Sequence, residues 1–591
     1  MFELRFRTEL HPPDESVVVR TARDGWTADR AGVFDDGAWR FGFDDDEVDA
    51  QGAFTFKFVL DGTWMDGPDL VVRPAPGGRF DFDDAAVRFS PMPAVVTENG
   101  RVQQLFFRPD HDENHLYDVI VVGSGMGGGL LADQLSDAGA DVLVLEAGSY
   151  LFPTHVANLP RRLRIGKFDK NVWGLFPDFS FANYVNVPGS FFGGAQAFNL
   201  GGRSVFWGGL IPRMGSWELA TWPQPVRDYL LSTGYRLAED ALNRNGPLGS
   251  PYQEATKKRL GEILPDYDHL DAPVAVQYEG YTPLSIPGGM FSTADLLAED
   301  RLVVGGGGRT PQINLNHAVQ RVRHANGRAT GVDCYDLLGR VQRQYRADKV
   351  VLSAGTIESA KIALQSGLTD PAGLIGRGIT DHPILYTHFS IPAGSPWSAV
   401  QASAKVWSRH RETSAEQHPY NVVLELGADF NQGRYIDPDN LARHRAEKHD
   451  ATLGEVVFLF HAPLVDGNRV ELAGPPHLPV SVDVRPAPLS GAVQDEVRAI
   501  GKQVLDGFGA EAITGENLEL ATAKLGGVAH EVGTLRMTAG AGGVVDADLR
   551  FLAYENLYAC DNSVFPTSPA ANPTLTLAAL SLRLARHLTA N

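Results

Sequence analysis

Three stretches carry residue types whose spacing could do chemistry. The first, Gly123-Ser124-Gly125-Met-Gly-Gly128, has the spacing G-x-G-x-x-G and follows the apolar run Asp118-Val-Ile-Val-Val122. Between a strand and a helix, Gly123 makes the tight turn and Gly125 lets backbone N–H groups approach a pyrophosphate. Gly128 lets the helix pack on the strand, and the helix start adds partial positive charge. Glu146 ends the next apolar run, 23 residues after Gly123, where a carboxylate can accept hydrogen bonds from ribose hydroxyls. On this motif alone, NAD and FAD fit equally well. The second stretch is a glycine cluster, Gly193-Gly194 and Gly201-Gly202-Arg-Ser204-Val-Phe206-Trp207-Gly-Gly209. Such a loop can lie flat against a planar ligand, and Phe206 and Trp207 argue that it is buried. The third lies near the C-terminus. His530 opens His-Glu-Val-Gly-Thr-Leu-Arg-Met537, and Asn572 opens Asn-Pro-Thr-Leu-Thr576. The former is no zinc motif, because Thr534 stands where a second histidine is needed, and no metal site is expected. Among 17 histidines, any one is ordinarily structural or solvated. Asn572, read by itself, is best explained as a helix N-cap with Pro573 at the first helical position.

The elements that must hold these residues follow from hydrophobic periodicity. Asp118–Val122 reads as a buried strand, Leu130–Gly139 as a helix and Asp141–Glu146 as a second strand, which together make one βαβ unit. Gln312–Val322, Val332–Tyr335 and Lys349–Ser353 read as further strands. The polar stretch His410–His449 reads as a loop or exposed helix. Residues 1–110 differ. Alternating runs at Phe2–Phe6, Ser16–Arg20, Ala38–Phe43, Phe54–Leu60 and Ala85–Phe89, separated by Gly, Pro and Asp, predict an all-β sandwich.

With 591 residues the chain is expected to form several domains. Its formal charge of −20 argues against nucleic acid and anionic membranes as partners. Two cysteines make no disulfide framework. The N-terminus lacks a basic segment followed by an apolar core, and no run is long and apolar enough to span a bilayer. A cytoplasmic protein is the expectation.

Together the motifs resemble the glucose-methanol-choline oxidoreductase family. Four segments match in order: the loop at Gly123; the cluster at Gly201; Val350-Val-Leu-Ser-Ala-Gly355 continuing to Ser366-Gly367 and Asp381-His-Pro383; and His530 to Asn572, with Val544-Val-Asp546 and Asn556–Asp561 inside it. The resemblance runs from about Tyr117 to the C-terminus. It implies an α/β plus all-β chain: a Rossmann-like FAD-binding domain (117–225, 305–395 and 520–591), an antiparallel-sheet substrate domain (226–304 and 396–519), and the N-terminal β-sandwich before them. It implies hydride transfer from a hydroxyl-bearing carbon to flavin N5, with oxygen or another acceptor reoxidising the flavin. His530 matches the family's base, and a histidine pKa of about 6.5 suits that task. Asn572 matches the second active-site position, where it would hydrogen-bond the substrate oxygen. The flavin site implied by the family takes Gly123, Ser124, Gly125, Gly128, Glu146, Gly202, Ser204, Trp207, Asp561, Pro573 and Thr574, with Val319 contacting adenine through its backbone.

The cluster Gly201–Trp207 and the tail Ala571–Thr576 look most like pyranose oxidases, and bacterial relatives acting on glycosides or aminoglycosides fit as well. Pyranose oxidases commonly place a flavin-linking histidine just before the tryptophan, where this chain has Phe206, so the FAD is expected to be non-covalent. The expected substrate is a small sugar, polyol or glycoside. Three alternatives stand beside it: an oxidoreductase of apolar alcohols, with Phe458-Leu-Phe-His-Ala462 lining an apolar pocket or forming a buried strand; a non-redox flavin-containing lyase; and a flavin-holding binding protein. In the N-terminal region, Phe54–Pro68 is similar to starch- and glycogen-binding modules, where a tryptophan such as Trp64 stacks on a sugar, with Trp26 and Trp39 contributing. The preferred alternative is a sandwich with Trp64 in its core that serves packing or assembly.

Overall fold

The computed structural model describes the chain except for residues 10, 12–15, 66–67, 88, 90–93, 97–101, 105–106, 159–183, 191, 195, 246–249, 278–288, 300–308, 399–401, 428–450, 477, 513–519, 523–524 and 591. Met1–Val95 and Val96–Asn591 are separate compact units.

In the first unit, strands Val33–Asp35, Ala38–Phe43, Phe2–Arg7 and Arg79–Asp83 pair in that order. A second sheet joins Arg30–Ala31, Val17–Thr21, Phe54–Leu60 and Thr63–Trp64, with Leu70–Val72 also on Phe54–Leu60. Alternation turns Phe54, Phe56 and Phe58 inward onto Phe2, Phe6 and Phe41 in one core. Two expectations fail here. Ala85–Phe89 is not a strand over its described residues. The Asp83 carboxylate accepts the N–H groups of Ala85 and Ala86, which bends the chain into a turn, and the strand is Arg79–Asp83. The expectation of Trp64 in the core also fails. Trp39 is buried and donates its indole N–H to the His11 carbonyl, whereas Trp64 is 38% exposed. Trp26 stands edge-on to Trp64, and the Arg20 guanidinium lies over the Trp64 ring.

The second unit is built on two large sheets. In the first, Gln312–Leu315, Val142–Glu146, Leu116–Val122 and Val341–Leu352 lie side by side and parallel, with Leu557–Ala559 parallel to Val341–Leu352. Arg328–Asp336 and His317–Ala325 extend it as an antiparallel meander. The expected strand Gln312–Val322 is therefore two strands, broken at Asn316, whose φ of +58° asparagine tolerates.

The helix after the glycine loop spans Met126–Asp137 and starts one turn earlier than expected. Glycines are poor helix formers, so the sequence favours a start at Leu130. Close packing explains the difference. A Cβ on Gly127 would lie 2.0 Å from the Cys560 carbonyl oxygen, and one on Gly128 would lie 2.1 Å from that of Gly123. The C-terminal helix Thr574–Ala590 packs against this helix, and the Ser581 hydroxyl donates to the Gly127 carbonyl.

The second sheet is antiparallel, in the order Tyr267–Asp271, Ser403–His410, Tyr420–Gly427, Thr452–Phe460, Ile384–Ile391 and Glu511–Ala512. Its strand Ile384–Ile391 comes from a segment the sequence reading gives to the flavin domain. Within the stretch read as a loop or exposed helix, Tyr420–Gly427 is a buried inner strand; residues 428–449 of that stretch lie outside the described residues. Tyr420, Val422, Leu424 and Leu426 turn to a core shared with helices Pro251–Ile263 and Gly491–Phe508. The histidines and arginines around the strand mask this period of two. Among the described residues, no helix is long and apolar enough to cross a membrane.

Candidate active site

One cavity of about 500 Å³ runs from the glycine loop to the free face of the antiparallel sheet. Gly123, Ser124, Gly125, Glu146, Gly202, Ser204, Trp207, Val319, His530, Asp561, Asn572 and Thr574 all line it. Gly128 and Pro573 do not. Gly128 serves the packing of helix on strand, and Pro573 precedes the C-terminal helix.

Side chains sew the two glycine clusters together. The Ser124 hydroxyl donates to Glu146 Oε2 at 2.6 Å and accepts the N–H of Gly201 at 3.0 Å. Glu146 also accepts the N–H groups of Ser124 and Gly148. Ser204 donates to the Gly201 carbonyl and accepts the N–H of Thr293, and Thr293 donates to the Ser124 carbonyl. Thr293 escapes sequence reading because it comes from a distant helix. At Gly125 the position of a Cβ has nothing within 4 Å, so bare backbone faces the cavity at the start of a helix. The N–H groups of a helix's first turn have no partners within the helix, so this cradle fits a dinucleotide pyrophosphate. Asp561 lines the cavity, yet its carboxylate is engaged by the N–H groups of Gly355 and Ser563 and by the Ser359 hydroxyl. Burial raises its pKa.

A chain of three hydrogen bonds fixes proton positions at His530 and Asn572. His382 Nδ1 lies 2.7 Å from the Pro569 carbonyl, which can only accept, so Nδ1 carries the hydrogen. Burial pushes His382 down to about 4, leaving it neutral with a bare Nε2. That atom is 2.9 Å from His530 Nδ1 and accepts from it. The lone pair of neutral His530 then sits on Nε2, 3.4 Å from the Asn572 side-chain NH₂. Asn572 Oδ1 is buried and has no hydrogen-bond partner among the described residues. Asn572 therefore does not cap the helix: its side chain turns to His530, and the helix begins at Thr574.

The pair is held from outside. Ala529, just before His530, has a φ of +61°, a conformation unfavourable for alanine that surrounding contacts must maintain. Glu531 pairs with Arg203 at 2.7 Å, and its carbonyl accepts the Thr356 hydroxyl. Buried Glu218 accepts the N–H of Ala571, next to Asn572. His382 and Glu218, which hold the pair in place, are not singled out by sequence reasoning. His382 stands within the quoted Asp381-His-Pro383, but nothing local ties it to His530, 148 positions on.

The sheet supplies the far wall. Val423, Val457 and Leu459 line the cavity from the face opposite the core, so Phe458–Phe460 is a strand whose phenylalanines serve the core and whose Leu459 serves the cavity. Lys405, Glu425 and Glu455 also line it, directly opposite one another in register, and His388 continues the same rung. Lys405 and Glu425 pair at 2.6 Å.

His461, at the end of this wall, gives a pH test. Burial lowers its pKa to about 4, against about 6.5 unfolded. As pH falls below 6.5 the unfolded chain takes up a proton first, so stability from this group is full above 6.5 and is lost towards 4. Between pH 8 and 5 the loss is about 2 kcal/mol. His461→Leu is expected to shrink the acid-induced drop in melting temperature. An unchanged drop would show that His461 does not stay neutral in the folded chain.

Residues 303–384 and 491–581 match the N- and C-terminal family models described as GMC oxidoreductase. Paromamine 6′-oxidase of Streptomyces fradiae is 27% identical, with 80% of this chain and 92% of that protein covered. A long-chain-alcohol oxidase of Arabidopsis thaliana is 25% identical over 78% of this chain and 65% of its own. The C-glycoside 3-oxidase of Microbacterium trichothecenolyticum is 26% identical over 67% and 76%. The solved structure of pyridoxine 4-oxidase from Mesorbium loti is 18% identical and superposes with a TM-score of 0.55, covering 80% of this chain and 99% of that one, a likeness of fold.

Proposed function

The chain is a GMC oxidoreductase acting on CH–OH donors, and from that premise we propose that it oxidises a hydroxyl of a sugar, polyol or glycoside with FAD as cofactor. The observation that carries the reading is the His382–His530–Asn572 chain at the cavity wall. FAD, when bound, supplies the acceptor for the hydride. Its pyrophosphate would be held by the backbone around Gly125 and its adenosine by Glu146 and the backbone at Val319. The surfaces of Gly202, Ser204 and Trp207 and the start of the C-terminal helix at Thr574 would face the isoalloxazine.

His530 Nε2 takes the hydroxyl proton as the C–H bond breaks. Asn572 donates to the same oxygen, which gains negative charge as the proton leaves, and Asn572 Oδ1 remains to accept a second substrate hydroxyl. His382 keeps the Nδ1 proton of His530 in place, so that only Nε2 can act as base. A charged rung on an otherwise apolar wall favours a polyhydroxylated substrate, whose hydroxyls can hydrogen-bond to the Lys405–Glu425 pair and to Glu455, where an alkyl chain would only cover them. The names of the glycoside-oxidising relatives agree with that choice. The apolar-alcohol reading draws on Val423, Val457 and Leu459 and on the long-chain-alcohol relative.

An anaerobic titration decides between them. Flavin absorbance bleached by a sugar, polyol or glycoside supports the first reading; bleaching by fatty alcohols alone would replace it with the second. The flavin is non-covalent in this reading, because Phe206 is buried in the core and is not among the residues lining the cavity. Acid precipitation is expected to release all yellow colour to the supernatant, and a yellow pellet would refute this. In the N-terminal unit, any contact with a glucan would fall on Trp64 and Trp26, whose pairing leaves Trp64 partly exposed.

A further inference from the structure

Three side chains that the oxidation does not use converge beside the first sheet. His317 opens the strand His317–Ala325, Asp336 closes Arg328–Asp336, and His111 lies in the segment leading into Leu116–Val122. His317 is 1% exposed. Its Nδ1 lies 2.7 Å from the Leu315 carbonyl, which makes that nitrogen the donor and leaves a lone pair on Nε2. Nε2 is buried without a hydrogen-bond partner among the described residues, and it faces Asp336 Oδ2 at 4.0 Å. A buried acceptor left unsatisfied is costly, and a histidine whose other nitrogen donates to a carbonyl is oriented as a metal ligand usually is.

The other two groups fit the same centre. His111 Nε2 is 3.6 Å from Asp336 Oδ2, and the three ligand atoms lie within 4.8 Å of one another. Asp336 Oδ1 is occupied by the N–H groups of Leu338 and Gly339, which turns Oδ2 to the histidines. Arg343 also touches Oδ2, at 3.3 Å, and has a second acid in Glu113 at 3.7 Å, to which it can withdraw. Bonds of about 2.0–2.2 Å in a tetrahedral site put ligand atoms about 3.3 Å apart. The observed spacing needs a closure of about 1.5 Å at most, supplied by His111, 40% of whose side chain is exposed, together with a smaller approach of Asp336 to His317 across their 4.0 Å gap.

We propose that His111, His317 and Asp336 form a binding site for a zinc-class divalent cation, separate from the His530–Asn572 pair although His317 also lines the cavity, and tying the segment before Leu116 to the first sheet. Two imidazole nitrogens and one carboxylate select Zn²⁺ and its neighbours over Mg²⁺ and Ca²⁺, which prefer all-oxygen sites. No spacing motif could reveal it, because its residues stand at 111, 317 and 336.

The test uses the full chain, stripped with a chelator and titrated calorimetrically with Zn²⁺, then with Mg²⁺. One equivalent of Zn²⁺ is expected to bind and raise the melting temperature, with no saturable response to Mg²⁺. His111→Ala, at a half-exposed position, is expected to fold, to bind Zn²⁺ more weakly by on the order of 10-fold or more, and to lose the thermal shift. His317→Gln is expected to weaken binding likewise. Absence of a 1:1 isotherm, equal response to Mg²⁺, or unchanged affinity in His111→Ala would overturn the proposal.

Discussion

His530→Ala is expected to give a yellow protein whose flavin is reduced by substrate about 10²–10⁴-fold more slowly, the range over which a positioned general base contributes. The measurement is stopped-flow reduction under anaerobic conditions, with the flavin-to-protein ratio taken from the same sample. Flavin content should hold, because the dinucleotide cradle is built from Gly125, Glu146 and Gly202, on other segments. Reduction at the wild-type rate would remove His530 from the mechanism. His382→Gln sharpens the result. A glutamine amide can rotate to offer either donor or acceptor, so it relaxes the demand that His530 keep its proton on Nδ1. Its rate should fall between wild type and His530→Ala, with a displaced pH profile. A rate equal to wild type at every pH would mean that the 2.9 Å contact between the histidines does not set the tautomer.

The second large effect concerns two neighbouring glycines with opposite outcomes. Gly127→Ala is expected to yield little folded protein. Its methyl would lie 2.0 Å from the Cys560 carbonyl oxygen, and both the helix and the strand-end carrying that carbonyl are backbone with little freedom to retreat. Overpacking typically costs about 1–3 kcal/mol and occasionally more, and a backbone collision falls at the upper end. Gly125→Ala meets nothing within 4 Å, so it is expected to fold with a near-normal melting temperature for the flavin-free protein, while retaining less flavin because the methyl enters the cradle. Expression level, melting temperature and flavin ratio separate the two. A Gly127→Ala protein as stable as wild type would contradict the packing.

This pair also marks what was legible in the sequence. The spacing G-x-G-x-x-G assigns roles to Gly123, Gly125 and Gly128, all defined by local turn and helix geometry; Gly123 has the turn conformation, with a φ of +96°, and Gly128 packs closely against the Gly123 backbone. Gly127 occupies one of the x positions, and its constraint comes from Cys560, more than 400 residues away, which no local pattern encodes. The histidine pair divides in the same way. His530 is marked out by an ordered set of motifs, whereas His382 takes its meaning from a contact between distant segments. Tyr420–Gly427 was misread because His410, Arg411 and His418 surround a strand whose alternation is clean only within it. The exposure of Trp64 is not legible from its alternating run, because which tryptophan is covered depends on how two sheets face each other.

The strands of the antiparallel sheet carry two independent texts. Along Tyr420–Gly427 the even positions spell the core, and Val423 and Glu425 spell the cavity wall. Because a strand has a period of two, a lineage can rewrite the second text without touching the first. A conservative change at Val423 would alter the shape of the wall while Tyr420, Val422, Leu424 and Leu426 keep the sheet on its helices, whereas Glu425 is tied to Lys405. The scaffold thus lets this wall be revised from one face, within the limits set by the smaller cluster around Val423 and by the Lys405–Glu425 pair.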